Sequence, residues 1–148
     1  GSQTGLMISP RIFDTFYRAP IQRGIDLAKS FGLTVFHHDD GDCRKLLPRL
    51  TDMGIDILNP VHISAEGMSP IELKRDFGDA ISFWGGGVDT QKTLPFGSPD
   101  DVRREVLERL DIFSRGGGYV FDAIHNVQAA TPLENIVALF ETVRAYRG

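Results

Sequence analysis

Leu33-Thr34-Val35-Phe36-His37-His38-Asp39-Asp40-Gly41-Asp42 is the stretch on which the fold turns. Its first half, Leu33 to His37, is β-branched and aromatic and reads as a strand; its second half changes abruptly into a polar turn. The same change recurs three times along the chain. Ile55-Asp56-Ile57-Leu58, Ala80-Ile81-Ser82-Phe83-Trp84 and Tyr119-Val120-Phe121 are each followed by a polar or glycine-rich segment. Apolar residues at helical spacing fill the intervals: Ile21, Ile25 and Ala28; Leu46, Leu47 and Leu50; Val102, Val106 and Leu110; Leu133, Ile136, Val137 and Phe140. Strands alternating with helices predict parallel βαβ units, an α/β fold with four strands in one domain spanning residues 1–148.

Helix starts are marked by a hydroxyl before a proline at Ser9-Pro10, Ser69-Pro70, Ser98-Pro99 and Thr131-Pro132. Proline suits the first helical position because the donor it lacks would be unpaired there anyway. Ser69 with Glu72 and Thr131 with Glu134 have the spacing of capping boxes. Gly32, Gly54 and Gly78 precede strands, where a helix end often calls for a left-handed residue. Pro48 falls inside the second helical pattern, so that helix is either kinked or starts later than Asp42 suggests.

The turns into the strands are short, whereas the segments leaving them are long: 38–42, 59–68, 85–97 and 122–130. In parallel α/β folds, chemistry collects where strands end, because helix N-termini and loop side chains converge there. His37 and His38 project to opposite sides by strand alternation, so only one faces that rim. His38 and Asp40, two apart, can reach one metal or substrate. The alternative is a polar turn in which Asp40 and Asp42 satisfy backbone donors, Gly41 making the bend and Asp42 capping the next helix. At the last exit, Asp122, His125, Asn126 and Gln128 lie near the start of the Thr131 helix, whose positive end favours an anionic group. Asn59 follows the second strand, and Asp89 and Gln91 follow Gly85-Gly86-Gly87, a run that allows close approach to a ligand or is simply a flexible connection. Asn59, Asp89, Gln91 and Asn126 are therefore candidate substrate-binding residues. Gly116-Gly117-Gly118 enters a strand from the opposite end and reads as structural. His62 and Glu66, in the long second exit, read as solvated.

Composition narrows the function classes. With 41% hydrophobic and 24% charged residues and a net charge of -4, the chain of 148 residues has an ordinary globular balance and no basic surface for nucleic acid. There is no apolar run of membrane-spanning length and no basic-then-apolar leader, so a cytoplasmic protein with a small-molecule substrate is expected. The single cysteine, Cys43, fits a reducing compartment and reads as a small packing residue.

The motifs His38-Asp39-Asp40-Gly41-Asp42, Gly54-Ile55-Asp56-Ile57-Leu58-Asn59-Pro60, Phe83-Trp84-Gly85-Gly86-Gly87-Val88-Asp89-Thr90-Gln91, Leu94-Pro95-Phe96-Gly97 and Thr131-Pro132-Leu133-Glu134-Asn135-Ile136, in that order, resemble the uroporphyrinogen decarboxylase superfamily. The resemblance runs over essentially the whole chain and implies the C-terminal half of a (β/α)₈ barrel, a fold that takes roughly 250 residues when complete. The superfamily includes methyltransferases acting on corrinoid, coenzyme M and related methyl carriers. Its zinc-dependent members use a His-x-Cys-Gly motif and a later cysteine before a Thr-Pro-Leu-Glu-Asn-like segment. The matching positions here are His38, Asp40 and His125, with both cysteines replaced. Two imidazoles and a carboxylate imply a site for Zn²⁺ or another divalent metal, with a corrinoid as a possible co-substrate. Decarboxylases of the superfamily keep a histidine near the position of His125, which with Asp40 becomes a catalytic candidate, and draw arginines and an aspartate from the other half.

Three functional expectations follow from that resemblance: metal-assisted methyl transfer, uroporphyrinogen-type decarboxylation, or a folded fragment that retains a binding rim without turnover. Four strands without their complement leave open edges. The expected cover is either a homodimer burying layers of Val35, Ile57 and Phe83, or a missing N-terminal half.

Overall fold

The computed structural model describes all 148 residues. A helical stretch opens with one turn, α1 (Pro10–Ile12), widens through a π-helical segment, Phe13–Tyr17, and continues as α2 (Arg18–Ser30). Pro20 has no N–H for the carbonyl four residues back, and the widened turn lies just ahead of it. Then follow β1 (Phe36–His38), α3 (Leu47–Met53), β2 (Ile57–Asn59), α4 (Pro70–Phe77), β3 (Ser82–Trp84), the single turn α5 (Thr93–Phe96), α6 (Pro99–Phe113), β4 (Tyr119–Val120) and α7 (Leu133–Ala145). The strands form one parallel sheet in the order β1-β2-β3-β4. This is the α/β half-barrel expected from the sequence. No helix is long and apolar enough to cross a membrane.

Three of the four strands begin two or three residues later than their apolar runs. Val35 shows why for β1: its N–H donates to the Asp56 carboxylate at 2.6 Å, so the ladder starts only at Phe36. Lys29 pairs with the same carboxylate at 2.5 Å. These two contacts, Lys29 foremost, hold the Asp56 carboxyl below its ordinary range and tie α2 to the foot of the sheet.

The helix starts fall where expected, but their caps differ. Neither Ser69 nor Thr131 closes a capping box; α7 begins at Leu133 behind Pro132. The reciprocal box forms instead at Ser98, with Asp101 in the place usually held by Glu or Gln. Gly54 ends α3 in the left-handed region at φ 98°, whereas Gly78 stays right-handed at φ −62°. Pro48 sits in the first turn of α3, which starts at Leu47; Asp42 lies well ahead of it and accepts from the Arg44 N–H at 3.0 Å, closing a turn without capping the helix.

Register decides which side chains each face receives. His37, Leu58, Phe83 and Tyr119 are successive partners across the sheet. Their level faces the helices: Leu58 and Phe83 are fully buried, and Phe113 of α6 packs on Phe83 and Tyr119 at ring separations of 5.2 and 5.0 Å. Phe36, Ile57 and Ser82 form the alternate level on the opposite, open face, where the Phe36 and Trp84 rings meet edge-on at 5.3 Å. Phe83 therefore does not belong to an interface layer with Ile57, as the sequence suggested; a one-residue step along a strand reverses the face. A second core, Val88, Leu94, Val102, Val106, Leu110, Ala138 and Leu139, joins α5, α6 and α7.

Truncation distinguishes the faces. Phe83→Ala is expected to cost about 3–5 kcal/mol in chemical denaturation, and Ile57→Ala under about 1.5 kcal/mol, because only the first leaves a cavity in a closed core. Equal losses would contradict the assignment.

Candidate functional site at the strand ends

The register that pairs His38 with Asn59 also sets the geometry of the rim. Asn59 donates its Nδ2 to the Trp84 carbonyl at 3.2 Å, which fixes Oδ1 as the atom 2.7 Å from His38 Nδ1. His38 Nδ1 is then the protonated nitrogen, and the lone pair of Nε2 is free to face Asp40, whose Oδ2 lies 3.4 Å away. Asn59 orients the imidazole; its side chain is already committed within the protein.

On the far side of the rim, the β3–β4 ladder runs past the strand ends, with Gly85 N–H donating to Val120 O and Gly87 N–H to Asp122 O. This carries the last exit back toward β1. His125 Nε2 arrives 3.8 Å from the same Asp40 Oδ2, and the rings of His38 and His125 lie 6.4 Å apart. One ligand atom from each of His38, Asp40 and His125 falls within 4.8 Å of the others. Tetrahedral bonds of 2.0–2.1 Å imply ligand separations of roughly 3.3 Å; His38 and Asp40, at 3.4 Å, meet this, and His125, at 3.8 Å from Asp40, would have to move inward to hold a shared cation.

His62, read from the sequence as solvated, is buried and adds a third imidazole around Asp40. Its Nδ1 accepts from the Gly41 N–H at 3.1 Å and lies 3.7 Å from Asp40 Oδ1. Its Nε2 lies 3.2 Å from the Gln3 side-chain nitrogen, Nε2. The signal in the sequence is Pro60-Val61 directly before it: Val61 is wholly buried, and it draws the start of the second exit inward.

Two hollows meet at His125. One, about 510 Å³, is lined by Asp40, His62, Thr90, Gln91, Phe96, Gln128 and neighbouring residues; the other, about 280 Å³, by His38, Asn59, Asp122, Asn126 and their neighbours. Gln91 and Asn126 thus reach the rim. Asp89 does not: its Oδ1 accepts from the N–H groups of Gln91 and Lys92, at 2.7 and 3.1 Å. The glycine run before it serves the protein's own packing, because a Cβ on Gly87 would stand 2.3 Å from the Phe121 ring. The larger hollow of about 630 Å³ lies away from the strand ends, beside α5 and α6, where Arg104 pairs with Asp101 and Arg109 with Glu105 and Glu108.

His37 projects away from this cluster, and burial lowers its pKa. Cys43 is fully buried, its thiol pushed up to about 12 chiefly by desolvation, so it offers no thiolate to the rim. Neither rim hollow contains a lysine or arginine.

A family description, uroporphyrinogen decarboxylase (URO-D), matches residues 2–146. The chain belongs to this family. Uroporphyrinogen decarboxylases from three strains of Coxiella burnetii are each 25% identical to it over 75 residues, covering 51% of this chain and 20% of the relative. The aligned part thus spans about a fifth of the length of these curated relatives.

Nitrogen-15 NMR of the neutral imidazoles tests the orienting bonds. His38 is expected as the Nδ1–H tautomer, and Asn59→Ala should leave it as a mixture. A wild-type His38 protonated on Nε2 would contradict the assignment.

Proposed function

We propose that this chain supplies the metal-holding half of a uroporphyrinogen-decarboxylase-family active site that performs methyl transfer on a small-molecule carrier of thiol or corrinoid type. The convergence of His38 Nε2 and His125 Nε2 on one oxygen of Asp40, at 3.4 and 3.8 Å, carries this reading. The donor chemistry fits a divalent cation: two imidazoles and a carboxylate suit Zn²⁺, Fe²⁺ or Mn²⁺, and the Asn59 bond presets the lone pair of His38. The charge balance also fits, since the two rim hollows contain Asp40 and Asp122 and no fixed cation.

A divalent metal held by His38, Asp40 and His125 would supply Lewis acidity that lowers the pKa of a thiol. The chain's own residues do the remaining work. Asn59 aims the His38 imidazole, while Gln91 and Asn126 offer hydrogen bonds to the polar edge of a substrate. The partly apolar lining of the larger rim hollow, including Pro95, Phe96 and Ile124, suits the body of an organic carrier.

Decarboxylation is the second reading, supported by the name of the Coxiella burnetii relatives and by His125 at the rim. In that reading His125 exchanges the proton, and the cations that a polycarboxylate substrate requires come from outside this chain, because these hollows have none.

Isothermal titration of the metal-stripped chain with Zn²⁺ and Mn²⁺ tests the first reading. One ion per chain is expected. Asn59→Ala should weaken binding about 10- to 100-fold, and His38→Ala or His125→Ala should weaken it more. Absence of stoichiometric binding, or unchanged affinity in both histidine variants, would remove the metal and leave the decarboxylase reading or a rim without turnover.

A further inference from the structure

The β3–β4 ladder stops at a single side chain. Along this pair the N–H groups of alternate residues donate across the gap: Phe83 to Gly118 O, Gly85 to Val120 O and Gly87 to Asp122 O. Each step advances two residues on both strands, the even spacing of parallel pairing. The next bond in the series would run from Asp89 N–H to Ile124 O. Asp89 N–H donates instead to Oε1 of Glu105, a residue of α6, at 3.2 Å. The last bond across the gap is Ile124 N–H to Val88 O at 3.4 Å, and the chain bends at Ile124 and His125. Glu105 therefore closes the ladder one residue before His125.

The carboxylate is held for this contact. Arg109 Nη2, one helical turn further along α6, lies 3.4 Å from the same Oε1, and the two side chains are only 12% and 16% exposed. Glu105 Oε2 and Arg109 Nε are buried without a protein partner. An ion pair withdrawn from water in this way adds little to stability, because desolvation offsets much of its attraction. Its effect on the course of the chain is larger. With Asp89 N–H turned aside, Asp89 Oδ1 accepts from the N–H groups of Gln91 and Lys92 and closes the turn that brings Gln91 to the rim. Ile124 O is left out of the ladder, and His125 leaves the line of β4. Asp56 acts in the same way at the other end of the sheet, where a carboxylate takes the Val35 N–H and delays β1.

We propose that Glu105 is a positioning residue for His125: by taking the Asp89 N–H it ends the β3–β4 ladder at Ile124, so that the chain bends there and His125 Nε2 comes to 3.8 Å from Asp40 Oδ2. Glu105 lines neither rim hollow and acts through the backbone alone. Its effect on cation binding rests on the metal reading above; its effect on where His125 lies does not.

NMR of the full chain without metal tests this through scalar coupling across hydrogen bonds and through nuclear Overhauser contacts between the His38 and His125 rings. In the wild type, Asp89 N should couple to the side-chain carboxyl carbon of Glu105, and the ring contacts should be present. Glu105→Leu, which removes the acceptor, should lose the ring contacts, while Glu105→Gln, which keeps an Oε1 acceptor, should retain them. Val106→Ala alters the next residue of α6, which is wholly buried and faces α7, and controls for loss of stability. It should leave the coupling and the contacts as they are. Zn²⁺ titration gives a second readout: Glu105→Leu should weaken binding about tenfold or more, as loss of an outer partner does, and Glu105→Gln should recover most of it. A wild-type chain that binds no Zn²⁺ removes the metal reading, and the metal-free coupling and contacts then decide the inference by themselves. Coupling of Asp89 N to the Ile124 carbonyl carbon in the wild type, ring contacts unchanged in Glu105→Leu, or equal loss of them in Val106→Ala would overturn the proposal.

Discussion

Parallel pairing of the four short strands is the constraint from which the site follows. Strands that run the same way must all release their chains at the same end of the sheet, and the pairing of His38 with Asn59 sets both residues level there. Backbone hydrogen bonding beyond β3 and β4 carries Asp122 and then His125 to that end. Residues 87 positions apart in sequence thereby come to share one carboxylate oxygen. No single local motif supplies this arrangement.

The fold was legible because its signals are local. A change from β-branched residues to a polar turn, four times over, specifies strands and their exits, and a hydroxyl before proline marks where helices begin. What escaped the sequence is what depends on register or competition between partners. Asp56 takes the Val35 N–H and delays β1. The reciprocal cap forms at Ser98 with an aspartate, while Ser69 and Thr131, with glutamates at the standard spacing, form none. Phe83 belongs to the helix-facing core because its partners are Leu58 and Tyr119, and strand composition alone carries no such information.

The candidate site divides in the same way. His38, Asp40 and His125 were legible because each lies at the end of a strand or in the exit segment after one and matches a family motif. Asn59 was noticed for its position, yet its function in the structure is to orient His38. Asp89 was noticed for its charge, and its Oδ1 accepts from two backbone N–H groups of its own turn. His62 was passed over because a histidine in a long loop gives no sign of depth; burial of Val61 beside it brings it against Asp40. The resulting rim has three imidazoles, two carboxylates and no fixed cation, an electrostatic character that composition could not reveal.

Anomalous diffraction from crystals grown with Zn²⁺ tests the convergence most directly. The account predicts one strong peak at the carboxyl ends of the strands, about 2.0–2.2 Å from donor atoms of His38, Asp40 and His125. Imidazoles of His38 and His125 on opposite faces of the sheet, or a principal peak bound elsewhere with these three residues apart, would contradict it.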